Sequence, residues 1–424
     1  MRRSSSVVSA ALFLLIVAVP LAWTKIFIAE FTLAKLLALN AALALAAVGI
    51  LAQPWSISAG AMALDLPIAA GLIIVCLSAA LSDDPMTSMR GRYDSYAYGV
   101  WGLALVAGAA QLAARGARGR EQQAAHWLGW SAATVGGYAV LQKLGIDPVF
   151  HAVLPAGGRA VSTLGSPVDL GAFLALLWPV TLWRLDTERG AFSSILAALV
   201  AGGLIASGAR GAMLAAGAGT AIYWLLSRRD LKAALPRALC LAGAAAAAAI
   251  AWTCRPGATI SDKARVEVWK TALEIFLQRP WLGWGPDGFE DVFKLMRSER
   301  FVELLNPMHY QAYAHNDILH VLAGVGLAGA AAYAWVLATL YGAARRALLP
   351  AQGRALPAAL FAGLLALCVN LALNPIALEV LVLLAVCAGL LVSLTAVSAT
   401  APPSRRPLAV LGVLAAVSFF HALG

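Results

Sequence analysis

Charge is what this chain has least of. Of its 424 residues only 12% are charged, while 61% are hydrophobic, and the mean hydropathy is +0.80. That composition excludes a water-soluble protein. A soluble core cannot absorb so many apolar runs of about 17–25 residues, the length that spans a bilayer. Cysteine is scarce too: Cys76, Cys240, Cys254, Cys368 and Cys387 are all there is. Four of them lie in apolar runs, where a thiol behaves as a small hydrophobe. No Cys-x-x-Cys occurs and no metal-ligand spacing, so neither a disulfide framework nor a zinc site is indicated. Asp-x-Asp is missing as well, which leaves a metal site for a nucleotide-sugar donor unsupported. No small-x-small cleavage pattern follows the apolar run behind Arg2 and Arg3, so the start reads as a first span and not as a removed signal. The net charge of +10 is scattered over short loops, as membrane topology requires, and no nucleic-acid partner is expected.

What is present is a series of apolar runs. Spans are predicted at 7–23, 33–52, 64–81, 96–114, 124–142, 168–183, 191–206, 210–226, 238–252, 317–342, 356–373, 376–397 and 407–423. The last is short and the 191–226 pair shares a tight turn. The expected fold is therefore all-α: a polytopic integral membrane protein with about 12–13 transmembrane helices. Basic residues in short loops set the orientation. With Arg2 and Arg3 inside, the inside loops hold sixteen Lys and Arg, and the four short outside loops hold six: Lys25, Arg90, Arg92, Lys143, Arg159 and Arg210. In a bacterial inner membrane, outside is the periplasm, where there is no ATP and chemistry needs a pre-activated substrate.

One stretch breaks the pattern. The 62 residues from Thr253 to Ala314 are polar and fall on the outside. The chain thus divides into N-terminal membrane helices (1–252), a large periplasmic helical loop (253–316) and C-terminal membrane helices (317–424). Within the loop, Val266, Trp269, Leu273, Phe276 and Leu277 form a helical stripe, ended by Pro280 and Gly283-Trp284-Gly285-Pro286. A second helix is predicted from about Gly288 to Leu305. Both read as amphipathic helices lying against the membrane face. The loop carries eight basic and eight acidic residues between 253 and 316, so any anion site in it must be local.

Three residues stand out. Arg210 sits alone in Ser207-Gly208-Ala209-Arg210-Gly211, between two apolar runs. There a guanidinium either snorkels to the headgroups or offers its planar fork of donors to a phosphate. Arg265 opens the first loop helix, as a solvated helix-face residue or as a ligand for a lipid-linked anion. His315, in Ala314-His315-Asn316-Asp317 at the start of a membrane helix, is either an interfacial histidine or a general base, since its ordinary pKa suits proton removal near neutrality. Asn316 or Asp317 can cap that helix. Arg159, and Arg90 with Arg92, are further cations on the same side. Ser162 to Pro167, then Asp169, reads as a turn and helix cap. Asp83, Asp84 and Asp94 form an acidic patch.

In sequence order these pieces resemble the O-antigen ligase and polymerase superfamily of bacterial envelope enzymes. The resemblance rests on Ser82-Asp83-Asp84-Pro85 with Ser88-Met89-Arg90-Gly91; Ser162-Thr163-Leu164-Gly165-Ser166-Pro167; Ser207-Gly208-Ala209-Arg210-Gly211; Arg265 with Trp269; Arg279-Pro280-Trp281-Leu282-Gly283-Trp284-Gly285; and His315-Asn316-Asp317-Ile318-Leu319 with Gly324-Val325-Gly326-Leu327-Ala328-Gly329. It covers about residues 80–330. Two departures occur: the family's Gly-Asn-Pro turn reads Gly165-Ser166-Pro167, and its Ser-Arg-Gly reads Ala209-Arg210-Gly211, which keeps the arginine.

The resemblance implies glycan transfer on the periplasmic face, from an undecaprenyl pyrophosphate-linked glycan donor, without a metal or other cofactor. Arg210, Arg265 and His315 are then the expected catalytic residues, and Arg159, Arg90, Asn316 and Trp269 the expected substrate-binding ones. A ligase gives the glycan to a lipid A-core acceptor, a polymerase to another lipid-linked repeat, and a protein oligosaccharyltransferase to Ser or Thr. The compact chain with one dominant outer loop points to the ligase. A lipid-linked glycan transporter would place charges within the spans, whereas here they gather at the outer ends.

Overall fold

A computed structural model describes residues 2–23, 31–52, 57–58, 63–92, 96–147, 158–228, 258–349, 353–395 and 400–401. The spans predicted at 238–252 and 407–423 lie outside these residues. The described chain is all-helical apart from a two-residue antiparallel pairing of Ile57–Ser58 with Thr400–Ala401. Helix α1 (Arg2–Phe13) continues through a π turn (Leu14–Ala18) to Leu21, followed by α2 (Thr32–Ala52), α3 (Asp65–Ala80), the short α4 (Pro85–Arg90), α5 (Val100–Gly116) and α6 (Glu121–Lys143). After a 3-10 turn at Ser162–Leu164 come α7 (Pro167–Glu188), α8 (Ala191–Ser207) and α9 (Arg210–Ser227). The polar stretch holds α10 (Ala258–Gln278), α11 (Phe289–Met296) and α12 (Glu299–Leu304), and α13 (Asp317–Leu348), α14 (Ala355–Leu371) and α15 (Leu378–Ser393) follow.

Helices at Thr32–Gly49, Pro167–Glu188 and Asp317–Leu348 are long and apolar enough to cross a membrane, and shorter apolar helices of 10–17 residues join them. At about 1.5 Å per residue, a 17-residue helix covers about 25 Å, close to the hydrocarbon thickness. The chain is a polytopic membrane protein. Helix α7 is the axis of the bundle, packed against α6, α8, α9, α14 and α15. Its face of Leu170, Phe173, Leu174, Leu177 and Val180 is fully buried. Small residues let the neighbours come close; Ala109, Ala113, Ala212, Ala215, Ala358, Ala359, Ala362 and Ala366 all lie in the same core.

The polar stretch departs from the sequence reading in one way. Its second helix is split: α11 ends at Met296, and Ser298 restarts the chain as α12 by accepting the Phe301 N–H at 3.1 Å. A serine hydroxyl satisfies an orphan N–H at a helix start better than it serves mid-helix. Helix α10 packs on the rest of the protein through a face other than its apolar stripe. Ala264, Val268, Ala272 and Ile275 pack against Phe289, Phe293, Phe301 and Ala314, while Val266, Leu273 and Leu277 face outward. The line of smaller side chains permits close packing, so the larger ones are left on the other side.

Helix α13 is broken at Gly326 (φ 67°, ψ −164°), and the turn after α10 fills the break. Trp284 and Gly285 N–H donate to Ala323 O (3.0 Å) and Gly324 O (2.8 Å), and Leu327 and Ala328 N–H donate to Pro280 O (2.8 Å) and Trp281 O (3.2 Å). Ser78 on α3 donates to Leu282 O at 2.6 Å. A break leaves backbone groups unpaired, and within a membrane protein another strand of chain must satisfy them. Glycine is required on both sides of this junction: a Cβ at Gly283 would lie 2.4 Å from Gly324 C, and one at Gly326 would lie 2.4 Å from Trp281 C. The two glycine-containing motifs noted in the sequence are the two halves of one joint. It fixes α10 against the helix that begins just after His315.

Candidate active site

The turn between α8 and α9 places Arg210. Gly208 takes a left-handed conformation (φ 58°) that ends α8, and the Ala209 N–H donates to Ser207 Oγ at 3.2 Å. Arg210 is the first residue of α9. A helix N-terminus already carries partial positive charge, so a guanidinium there deepens a positive field. Arg159 joins it, donating from Nε to Ser207 O at 2.8 Å. Arg265, about two turns into α10, completes the group. Its Nη2 donates to Asn374 Oδ1 at 3.3 Å.

Among the described residues, Asp262 is the carboxylate that Arg210 and Arg265 share. Its Oδ1 lies 3.8 Å from Arg210 Nη2 and its charge also acts on Arg265. Burial lowers the pKa of Arg159, and the Arg210 charge adds to the effect. Burial likewise lowers that of Arg265, with Asp262 opposing and Arg210 reinforcing. Three guanidinium groups, two of them facing one half-exposed carboxylate, leave a net positive cluster suited to an anion carrying two or more negative charges.

His315 lies beside them. Its backbone is left-handed (φ 51°), uncommon for a residue with a Cβ. Trp269 Nε1 on α10 donates to His315 O at 3.4 Å. The imidazole Nε2 meets Gln311 Oε1 at 2.9 Å, while Nδ1 is buried without a hydrogen-bond partner among the described residues. With Gln311 oxygen as acceptor, Nε2 carries the proton and Nδ1 keeps a lone pair. Burial, and then the Arg265 charge, push the imidazole pKa down to about 4, so the ring is neutral at physiological pH. Asn316 caps α13, accepting the Leu319 N–H at 3.1 Å and donating from Nδ2 to Ala372 O at 3.3 Å.

The sequence reading missed the link between α14 and α15, residues 372–377, which runs beneath the site. It contributes Ala372 O to Asn316 and Asn374 to Arg265. Tyr98 OH donates to Ile376 O and accepts from Ile376 N, both at 3.2 Å. Asp169 Oδ1 accepts the Ala377 N–H at 2.8 Å, so Asp169 braces this link while Ser166 caps α7. Nearby, Lys35 Nζ is buried between Thr163 O (2.7 Å) and Glu379 Oε1 (3.7 Å). Lys35, Glu379 and Asn374 are single polar residues in or beside apolar runs. A charge inside a predicted span is a recognisable signal, but its partner is not.

Arg90 stands apart. It is exposed at the end of α4, and no hydrogen bond or ion pair joins it to the cluster among the described residues. Its neighbours are structural. Arg279 Nη2 binds Asp83 Oδ1 at 2.9 Å, Arg92 pairs with Glu290, and the Arg92 N–H donates to Asp287 Oδ2 at 2.9 Å. Of the acidic patch, Asp83 thus meets the α10–α11 turn, Asp84 caps α4 and Asp94 lies outside the described residues. Among the described residues no three His, Cys, Asp or Glu side chains are grouped as metal ligands.

Residues 195–334, from α8 into α13, match a family model described as O-Antigen ligase. No curated protein matches the chain. The matched stretch contains Arg210, Arg265, Trp269, His315 and both halves of the glycine joint. With the all-helical membrane architecture, this match supports the resemblance of the chain to the O-antigen ligase and polymerase superfamily.

Proposed function

We propose that this protein is the ligase type within its family: a glycosyltransferase that moves a glycan from undecaprenyl pyrophosphate to a lipid A-core acceptor at the periplasmic face of the bacterial inner membrane. The observation that carries this reading is the convergence of Arg159, Arg210, Arg265 and His315, drawn from four separate parts of the chain, at one end of the helix bundle. Arg210 and Arg265, with Arg159 behind them, hold the pyrophosphate. An acceptor hydroxyl attacks the anomeric carbon and the bond from that carbon to the pyrophosphate oxygen breaks, inverting the configuration. Polyprenyl pyrophosphate leaves with the bonding electron pair, and its growing negative charge meets the guanidinium groups where it develops. His315 Nδ1 takes the hydroxyl proton. Trp269 and Asn316 keep the imidazole and the head of α13 in place. No step requires a metal ion. Val266, Leu273 and Leu277 on the outer side of α10 rest on the membrane surface, which brings a lipid-linked donor to the site at its own depth.

The test is reconstitution of the full chain in liposomes with an undecaprenyl pyrophosphate-linked glycan, in the presence of a chelator. Parallel reactions contain lipid A-core, a second lipid-linked repeat or an acceptor peptide. Glycosylated lipid A-core supports the ligase. Product only with the repeat or only with the peptide replaces the acceptor assignment and leaves the donor chemistry standing. A strict need for divalent ions contradicts the mechanism.

A further inference from the structure

Like Arg159, the α14–α15 link lies outside the matched family region, and it carries no basic residue and no imidazole. It nevertheless touches the N-terminus of α9, Arg265 and Asn316. Asn374 is its centre. The side chain is 8% exposed, with Oδ1 accepting from Arg265 Nη2 at 3.3 Å and Nδ2 directed at Asn370 Oδ1, 3.5 Å away. Asn370 is fully buried one turn earlier. It orients the Asn374 amide so that oxygen, and not nitrogen, faces the guanidinium. Gly211 completes the fit. A Cβ there would sit 2.7 Å from Asn374 Nδ2 and 3.3 Å from Asn370 Oδ1, so glycine next to Arg210 is what lets the amide pass under the start of α9. The main chain of the link is held on both sides of Asn374, by Asn316 at Ala372 and by Tyr98 and Asp169 at Ile376 and Ala377.

We propose that Asn374 is a positioning residue for Arg265. It fixes the guanidinium by one neutral hydrogen bond, so the full positive charge remains available to the donor. A carboxylate in its place would hold Arg265 equally well and cancel that charge. Arg265 rises from α10, a helix of the polar stretch, so without Asn374 it has, among the described residues, the half-exposed Asp262 to steer it. The inference rests on the reading of Arg265 as a pyrophosphate ligand.

The experiment is a double-mutant cycle on the full-length protein, with undecaprenyl pyrophosphate as the probe and its dissociation constant as the readout. Losing the orienting hydrogen bond in Asn374→Ala is expected to weaken binding about tenfold. The Asn374→Ala/Arg265→Ala double variant should bind no more weakly than Arg265→Ala alone, because Asn374 acts only through Arg265. Gly211→Ala, which displaces the amide without deleting it, should show the same dependence on Arg265 and serves as the test if Asn374→Ala does not fold. Losses that multiply in the double variants overturn the proposal, as does wild-type affinity in Asn374→Ala beside weakened Arg265→Ala. Undiminished binding by Arg265→Ala would remove the ligand reading itself, and this inference with it.

Discussion

His315 combines two conditions that pull in opposite directions. Its main chain sits in the left-handed region, where a residue with a Cβ pays roughly 1–2 kcal/mol, and its ring is buried next to a cation. Asparagine tolerates that backbone better than most residues. His315→Asn should therefore fold with a melting temperature at or above that of His315→Ala, and both should lose transfer; near-normal turnover in either would remove the base assignment. The pH profile makes a sharper demand. With the pKa held near 4, the imidazole is unprotonated and able to accept a proton at all pH values well above 4, and loses that ability as pH falls through it. The acid limb of kcat/KM, which reports the free enzyme, is expected near pH 4. An acid limb at the ordinary histidine value of about 6.5 would mean that His315 is not the group that titrates. For Arg210→Ala we expect a loss of about 2–4 kcal/mol in transition-state stabilisation, read as a fall in kcat of about 30- to 900-fold.

At the scale of elements, the joint between the Pro280–Gly285 turn and the break in α13 ties the helix carrying Arg265 and Trp269 to the helix that follows His315. Gly283→Ala and Gly326→Ala each add a left-handed penalty to a backbone collision, and should destabilise the protein by at least about 2 kcal/mol. Thermal unfolding in detergent checks this; unchanged melting for both would show that the joint is not a fixed contact. The exposed Arg279–Asp83 pair should matter far less, since surface ion pairs contribute about 0–1 kcal/mol. Element positions were mostly legible beforehand. The run predicted at 33–52 is α2 at Thr32–Ala52, and that at 124–142 is α6 at Glu121–Lys143, because apolar length is a local property. The glycine joint was visible only as two unexplained motifs, since each explains the other across about forty residues of chain.

For the molecule as a whole, Arg210, Arg265 and His315 could be singled out from their neighbours in sequence. That they share one site, with Arg159, is what the resemblance implies and not what their sequence neighbours give, because it depends on how the bundle closes. Asn374 and the buried Lys35 and Glu379 were passed over for the same reason: each looks incidental until the residue it meets is known. Arg90 shows the converse, a cation on the expected side of the chain that the fold leaves outside the cluster. The proposed reaction at this convergent site is transfer of a glycan from a pyrophosphate carrier to a hydroxyl by direct displacement. Its most direct test is a single-turnover reaction of the reconstituted protein with a donor of defined anomeric configuration, with chelator present. The account predicts one free polyprenyl pyrophosphate per glycosylated lipid A-core, with the configuration inverted, and no product from His315→Asn. Retained configuration, or equal product from His315→Asn, would contradict it.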